Sequence, residues 1–303
     1  MLARPYLILT LTPLFWGGNW VAGKLAVGHI EPIVLLTARF AGAVLAVLPF
    51  ALPHLRRDWP LIRQNLPLLL GLGAVGFAAF NALMYEGAHY TSALNGAIEQ
   101  AAIPMLVLIG SFIFFRIRAH WLQLLGVLLT IVGVALTAAN GDLPGLLALT
   151  INSGDALVML ACVIYAGYSL ALRYRPAIHW MSFLAVTLAG ALLFSLLFQA
   201  TIGGGLGRLA ALGTTSAEGW AIIVYVALFP SIIAQLFYAR GVELIGANRA
   251  SLFINLIPVF GTILSVLIIG ERMQTYHLVA GALVVAGIFL AEYSVRQVSG
   301  EQR

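Results

Sequence analysis

The chain has 303 residues, of which 61% are hydrophobic and only 9% charged, with a formal net charge of +5. A soluble domain carries about 25% charged residues, so this much apolar surface cannot be hidden inside one water-soluble globule. A soluble enzyme, a nucleic-acid-binding protein and a disordered chain are excluded, and the basic excess forms no stripe that could track a phosphate backbone.

About 20 apolar residues make one membrane-crossing helix. Polar interruptions divide the sequence into ten such spans, at 6–28, 33–53, 66–86, 92–115, 121–139, 155–173, 180–201, 218–238, 247–269 and 275–295. The expected fold is therefore an all-α membrane protein with ten transmembrane helices. Span one follows Arg4 and begins like a signal peptide. It continues through Phe15-Trp16-Gly17-Gly18-Asn19-Trp20 without a small-residue cleavage site, so it reads as a retained helix. Trp16, Asn19, Trp20 and Gly23 share one stripe of it. Trp16 lies too deep for an interfacial aromatic belt, and Asn19 would avoid lipid, so the stripe should face protein. Lys24 sits near its end, and Arg39 falls within span two. A roomy loop is expected at 54–65.

Span three carries Gly76, then Asn81 and Tyr85 one turn apart. Span four carries Asn95 and Glu99 on one face, with Pro104 five residues further on. Proline removes an N–H and clashes with the preceding turn, so a kink is expected there. Span five is almost wholly Leu, Val, Ala and Gly, as is span ten; both read as peripheral walls. Their small residues, Gly126 and Gly133 or Ala282 and Ala286, suit close packing against another helix or a second subunit. Span six presents Tyr165, Tyr168 and Ser169 in one sector, besides the lone cysteine, Cys162. The loop after span seven contains Gly203, Gly204, Gly205 and Gly207, but no Gly-Lys-Ser/Thr follows, so it reads as a turn and not a phosphate loop. Span eight holds Pro230, Gln235 and Tyr238; span nine holds Ser251, Asn255 and Pro258.

The basic residues orient the bundle. With the N-terminus inside, Arg4, Arg56, Arg57, Arg63, Arg116, Arg118, Arg173, Arg175, Arg240, Arg249, Arg296 and Arg303 lie on the inner side, against Lys24, Arg208 and Arg272 outside. Cytoplasmic Lys and Arg excess sets topology, so both termini should be cytoplasmic.

Displacing the sequence by 154 positions aligns Gly87 with Gly241, Ile103-Pro104 with Ile257-Pro258, Ser111 with Ser265, Arg118 with Arg272 and Gly133 with Gly287. Gly76 meets Pro230 at the same offset. The halves are residues 1–140 and 150–295, five spans each, followed by a tail at 296–303. An odd number of spans inverts the second copy, the arrangement of many secondary transporters, whose substrate site lies where the halves meet. The paired weak points Gly76, Pro104, Pro230 and Pro258 suggest that spans three–four and eight–nine are two moving hairpins.

The Trp16-Gly17-Gly18-Asn19-Trp20 run, Pro104 and Pro258, the Gly270-Glu271-Arg272 turn, and Gly281 and Gly287 together resemble the ten-span EamA type of the drug/metabolite transporter superfamily, over nearly the whole chain. The first half has Arg116-Ile117-Arg118 where the second has the acidic turn, so that turn is not a paired gate. Within the family the chain is most similar to bacterial aromatic amino-acid exporters. The resemblance implies export of small metabolites through the inner membrane, with the lipid bilayer and a small-molecule substrate as partners, no nucleic acid, and a monomer or weak homodimer. Aromatic and other neutral amino acids are favoured; a multidrug exporter of the same fold is the alternative.

No cofactor or metal is expected, because Cys162 stands alone and the six histidines all fall near span ends. No HExxH, G-x-S-x-G or Walker motif occurs, so neither an intramembrane enzyme nor direct ATP drive is expected. Ionisable groups inside spans are costly and face a cavity or a partner; they are chiefly Lys24, Arg39 and Glu99. Glu99 reads either as a cavity carboxylate for a substrate amine or a proton, or as an ion pair with Arg39 or Lys24. The expected cavity is lined by Trp16, Asn19, Trp20, Asn81, Tyr85, Asn95, Glu99, Tyr165, Tyr168, Gln235, Tyr238, Ser251 and Asn255. A C-terminal fusion to a reporter active only outside the cytoplasm should be inactive, and a C-terminal fluorescent protein should fluoresce; the opposite pattern refutes the orientation.

Overall fold

The computed structural model describes residues 4–116, 121–138, 141–142, 152–245 and 251–300, and every regular element among them is helical. A lipid interior offers backbone groups no partners, so each span must satisfy its own. Pro32–Gln64, Leu66–Gly87, Ser153–Tyr174, Trp180–Thr201 and Ala217–Val242 are each long and apolar enough to cross a membrane, and Met105–Phe115, Trp121–Thr137, Val259–Ile269 and Thr275–Gly287 are shorter apolar helices. Span one is the helix Pro5–Ala26, with proline in the first turn, where its missing N–H costs nothing. Exposed Phe112, Phe114, Leu124, Leu193, Leu197, Leu267 and Phe289 form the lipid-facing exterior.

Span two differs from its expected form. It is one 33-residue helix, Pro32–Gln64, so the segment 54–65 is helical almost to its end. At 1.5 Å per residue it is roughly 50 Å long, well beyond a hydrocarbon core of about 30 Å. Ile62 explains the continuation: it is fully buried with Leu69 and Val186, which ties the helix end to spans three and seven despite Pro49, Pro53 and Pro60. The glycine-rich segment after span seven is a tight turn, with Gly204 and Gly205 at φ of 76° and 94°, leading into the short 3-10 helix Leu206–Thr214.

The four weak points mark real irregularities, though not all of the expected kind. Gly76 and Pro230 each lie in a π-helical segment, Ala74–Ala79 and Phe229–Ile233. Pro230 cannot donate to the carbonyl four residues back; the Ser231 hydroxyl donates to that same Val226 oxygen at 2.7 Å. Span four does not kink at Pro104. It is broken into Ala93–Glu99 and Ala102–Phe115, with the break at Gln100 and Ala101. Proline has no N–H to donate to the carbonyl four residues earlier, here that of Gln100. The chain therefore ends one helix at Glu99 and restarts so that Pro104 falls in a first turn. Span nine repeats the solution: a 3-10 segment Ser251–Leu256 leads into Ile257–Leu264, with Pro258 in its first turn.

The principal packing pairs between spans are related two-fold by exchange of each span with the one five later. Spans two and seven pack on each other, as do four and nine, and five and ten. The contact of three with six mirrors that of eight with one, four with six mirrors nine with one, and three with seven mirrors eight with two.

Spans five and ten are thus partners of each other. A Cβ on Gly133 would sit 2.8 Å from the Ala280 carbonyl oxygen, and one on Gly287 would sit 2.4 Å from the Gly126 carbonyl oxygen. Gly126 and Gly133 are used within the chain, while Ala282 and Ala286 are exposed. Gly287→Val should lower stability by roughly 1–3 kcal/mol through overpacking, measured by thermal melting in detergent. Gly281→Ala, where an added methyl meets nothing within 4 Å, should leave the melt unchanged.

Candidate substrate site

The Arg39 guanidinium is the centre of the buried polar network. Span two carries it inward, 5% exposed, between elements of both halves. Its Nη1 donates to Asn81 Oδ1 at 2.6 Å, to the Tyr85 hydroxyl at 2.6 Å and to Asn19 Oδ1 at 3.0 Å. Its Nε donates to the Ser231 hydroxyl at 2.8 Å. Asn19 Nδ2 donates to Asn81 Oδ1 at 3.1 Å, and the Tyr85 hydroxyl donates to Asn19 Oδ1 at 3.1 Å. Asn81 Nδ2 is held by the Phe77 carbonyl, which belongs to the π segment of span three. The Tyr225 hydroxyl lies in the field of Arg39 and donates to the Phe15 carbonyl at 3.3 Å.

A buried cation ordinarily needs an anion, because desolvation costs several kcal/mol. Every described partner of Arg39 is a neutral amide or hydroxyl, and the ion pair of Arg208 with Glu31 is a surface contact that does not involve it. The aromatic faces of Phe40 and Tyr85, 5.3 and 5.9 Å from the guanidinium carbon, contribute cation–π attraction but no charge.

Aromatic side chains form two further groups. The Trp16 ring lies 5.7 Å from that of Tyr238, and its Nε1 donates to the Pro230 carbonyl at 3.1 Å. Tyr165 contacts Phe80 at 4.8 Å and Tyr168 at 5.3 Å, and Tyr168 contacts Phe77 at 5.8 Å. Tyr165 also feels the Tyr238 hydroxyl, which joins the two groups. Trp16, Tyr165, Gln235 and Tyr238 are half-buried, whereas Tyr168 is buried over Gly76, where a Cβ would meet its ring at 2.2 Å. Trp20 parts from Trp16: it is 1% exposed and packs on Gly96 with Met84 and Ala97, as a core residue.

The other charged groups of the spans separate from this centre. Lys24 donates to the Ala88 and Thr91 carbonyls at 2.8 and 2.7 Å, closing the C-terminal end of span three where a cation is favoured. Neither Lys24 nor Arg39 pairs with Glu99. Glu99 is fully buried at the end of the first helix of span four, and its acidic neighbour is Asp155. Asn95 turns instead to His277, whose Nε2 lies 3.1 Å from Asn95 Oδ1. The His277 Nδ1 accepts from the Gln274 amide at 2.9 Å, so the Nε2 carries the proton and donates. His277 is therefore buried and bonded, not interfacial. Glu271 of the Gly-Glu-Arg turn accepts from the Ala93 amide at 2.9 Å, capping span four across the two halves.

Arg39, Asn19, Asn81 and Tyr85 are thus brought together, as are Trp16 with Tyr238 and Tyr165 with Tyr168. Ser251 and Asn255 lie in the 3-10 segment of span nine, but their side chains, like those of Pro104 and Pro258, lie outside the described ones. Arg118, Arg249 and Arg303 are outside the described residues altogether. Ser231, Tyr225, Asp155 and His277 are the additions. Ser231 follows Pro230 directly, and a hydroxyl beside a mid-span proline is a usable signal. Asp155 and His277 stand at span starts, where polar residues are unremarkable.

Ten apolar segments, two-fold packing between five-span halves and a polar centre drawn from both halves define a multi-pass membrane transporter. The model of the EamA-like transporter family matches residues 3–139 and again 152–293, and the chain belongs to that family. It is 26% identical over 297 residues to the uncharacterized transporter YyaM of Bacillus subtilis, covering 96% of this chain and 94% of that protein. It is 25% identical to a probable terminal-alkyne amino-acid exporter of Streptantibioticus cattleyicolor, over 100% of this chain and 97% of that one. It is 23% identical to a probable amino-acid metabolite efflux pump of Escherichia coli, over 94% of each. A solved structure described only as a crystal structure of protein shares the fold, with a TM-score of 0.65 at 19% identity over 97% of this chain and 98% of that one.

Asn81→Leu leaves Arg39 and Asn19 short of an acceptor and a buried charge under-solvated. It should lower stability by roughly 1–3 kcal/mol, read as a drop in melting temperature; an unchanged melt refutes the hub.

Proposed function

We propose that this chain exports small amphipathic metabolites, amino acids foremost, across the bacterial cytoplasmic membrane, with both termini in the cytoplasm. One observation carries the reading: Arg39 is buried among neutral partners from both halves, and no described carboxylate neutralises it. A substrate carboxylate supplies the missing charge, and a guanidinium accepts that group in a directed, charge-assisted geometry. Trp16, Tyr165 and Tyr238 offer stacking and dispersion to an aromatic or branched side chain. A cationic drug would instead be repelled by Arg39, which favours the amino-acid reading over a multidrug one. The names of two relatives, an amino-acid exporter and an amino-acid metabolite efflux pump, agree with it.

Alternating access would move the halves about this centre. Spans three and eight would bend at their π segments, and spans four and nine at their breaks, because helices without a continuous hydrogen-bond ladder yield first. Of the small residues expected to suit a second subunit, Gly126 and Gly133 serve packing between spans five and ten within the chain.

Counterflow in proteoliposomes tests the substrate. Preloaded tryptophan, threonine or methionine should accelerate uptake of the labelled amino acid, saturably. Arg39→Gln should raise the half-saturating concentration by roughly 10–100-fold, the equivalent of the 1.5–3 kcal/mol of a hydrogen bond to a charged group. Exchange of no amino acid, or Arg39→Gln at wild-type affinity, overturns the assignment.

A further inference from the structure

Glu99 and Asp155 are neighbouring carboxyls drawn from the two halves, one from span four and the other from the first turn of span six. Both are 0% exposed. Among the described residues the two oxygens of Glu99 and the Oδ2 of Asp155 have no hydrogen-bond partner, while Asp155 Oδ1 accepts from the Thr91 hydroxyl. Two ionised carboxylates in such a place would repel each other without relief.

Among the described residues no cation pairs with either carboxyl. From span six come Asp155 and Cys162, whose Sγ lies 3.6 Å from the Glu99 carbonyl oxygen and donates to it. From span ten come Tyr276, within the field of Asp155, and His277, committed to Asn95 and the Gln274 amide. From span one comes Lys24, committed to the Ala88 and Thr91 carbonyls. From the turn before span ten comes Glu271, committed to the Ala93 amide. The described residues of spans five and nine that pack on this helix bring no titratable group. No third carboxylate, histidine or cysteine completes a metal-ligand set among the described residues.

We infer that Glu99 and Asp155 together bind one exchangeable proton, and that its passage couples export to the proton gradient. This rests on the transporter reading above. One proton shared between the carboxyls forms an O–H···O bond, gives an unpartnered oxygen a partner and lowers the pair's charge from −2 to −1. Opening toward the outside loads the proton from external water; opening toward the cytoplasm releases it, and no bond other than O–H is made or broken. Because one carboxyl belongs to each half, relative motion of the halves separates the pair and changes its proton affinity. This is the condition for a coupling site.

Infrared difference spectroscopy of the purified wild-type protein tests occupancy without any substrate. A protonated-carboxyl C=O band should be present at neutral pH, bleach on alkalinisation, and disappear in both Glu99→Gln and Asp155→Asn. Absence of the band in wild type, or its survival in both variants, overturns the proposal. In proteoliposomes each variant should retain counterflow exchange but lose accumulation driven by a pH gradient. Gradient-driven accumulation that persists in both variants also overturns it. A band that behaves as stated, together with no amino-acid exchange, would instead keep the proton site and reject the amino-acid substrate.

Discussion

A guanidinium held away from water among neutral groups is the constraint on which the centre of this protein depends. Arg39 joins spans one, two, three and eight through Asn19, Asn81, Tyr85 and Ser231. Two of these partners are themselves placed by a local backbone feature. Asn81 is fixed by the Phe77 carbonyl inside one π segment, and Ser231 is fixed by the carbonyl that Pro230 cannot bond inside the other. The irregular turns and the buried charge are therefore one arrangement. Backbone irregularity deep in a membrane is tolerated where protein lines it.

The rest of the bundle makes this centre possible by letting helices approach closely without a driving force from water. In lipid, close packing of small residues replaces the hydrophobic effect. Gly133 and Gly287 bring spans five and ten together, and Gly17 brings span one against Gly261 of span nine, where a Cβ would lie 2.7 Å from the Gly261 nitrogen. The two-fold relation of the packing pairs means that one solution serves twice. The exceptions carry the chemistry: Arg39, Glu99 and Glu271 have no counterpart of the same type in the other half, so function is asymmetric on a symmetric frame.

Much of the fold was legible from composition and period. Apolar runs marked the spans, and the offset of 154 marked the halves. The pairing of Gly76 with Pro230, and of Pro104 with Pro258, located four of the irregular turns. Their form was not legible: a proline announces that a ladder fails, whereas neighbouring side chains decide whether it becomes a kink, a break or a π turn. The end of span two was misread for a related reason. Charges and prolines at 54–65 signal a loop, but burial of Ile62 against Leu69 and Val186 outweighs them.

The site divides in the same way. Sequence alone determined that Lys24, Arg39 and Glu99 are costly in a membrane and must have a purpose, because the cost depends only on charge and depth. It also determined that Asn19, Asn81 and Tyr85 are polar groups seeking partners. Only the tertiary structure decided which partners they take: Lys24 caps a helix end, Arg39 gathers the amides and hydroxyls, and Glu99 meets Asp155 and no cation. Pairing depends on where helices separated by tens to hundreds of residues come to rest, and on side-chain reach of a few ångströms at that point. No one-dimensional spacing contains that information.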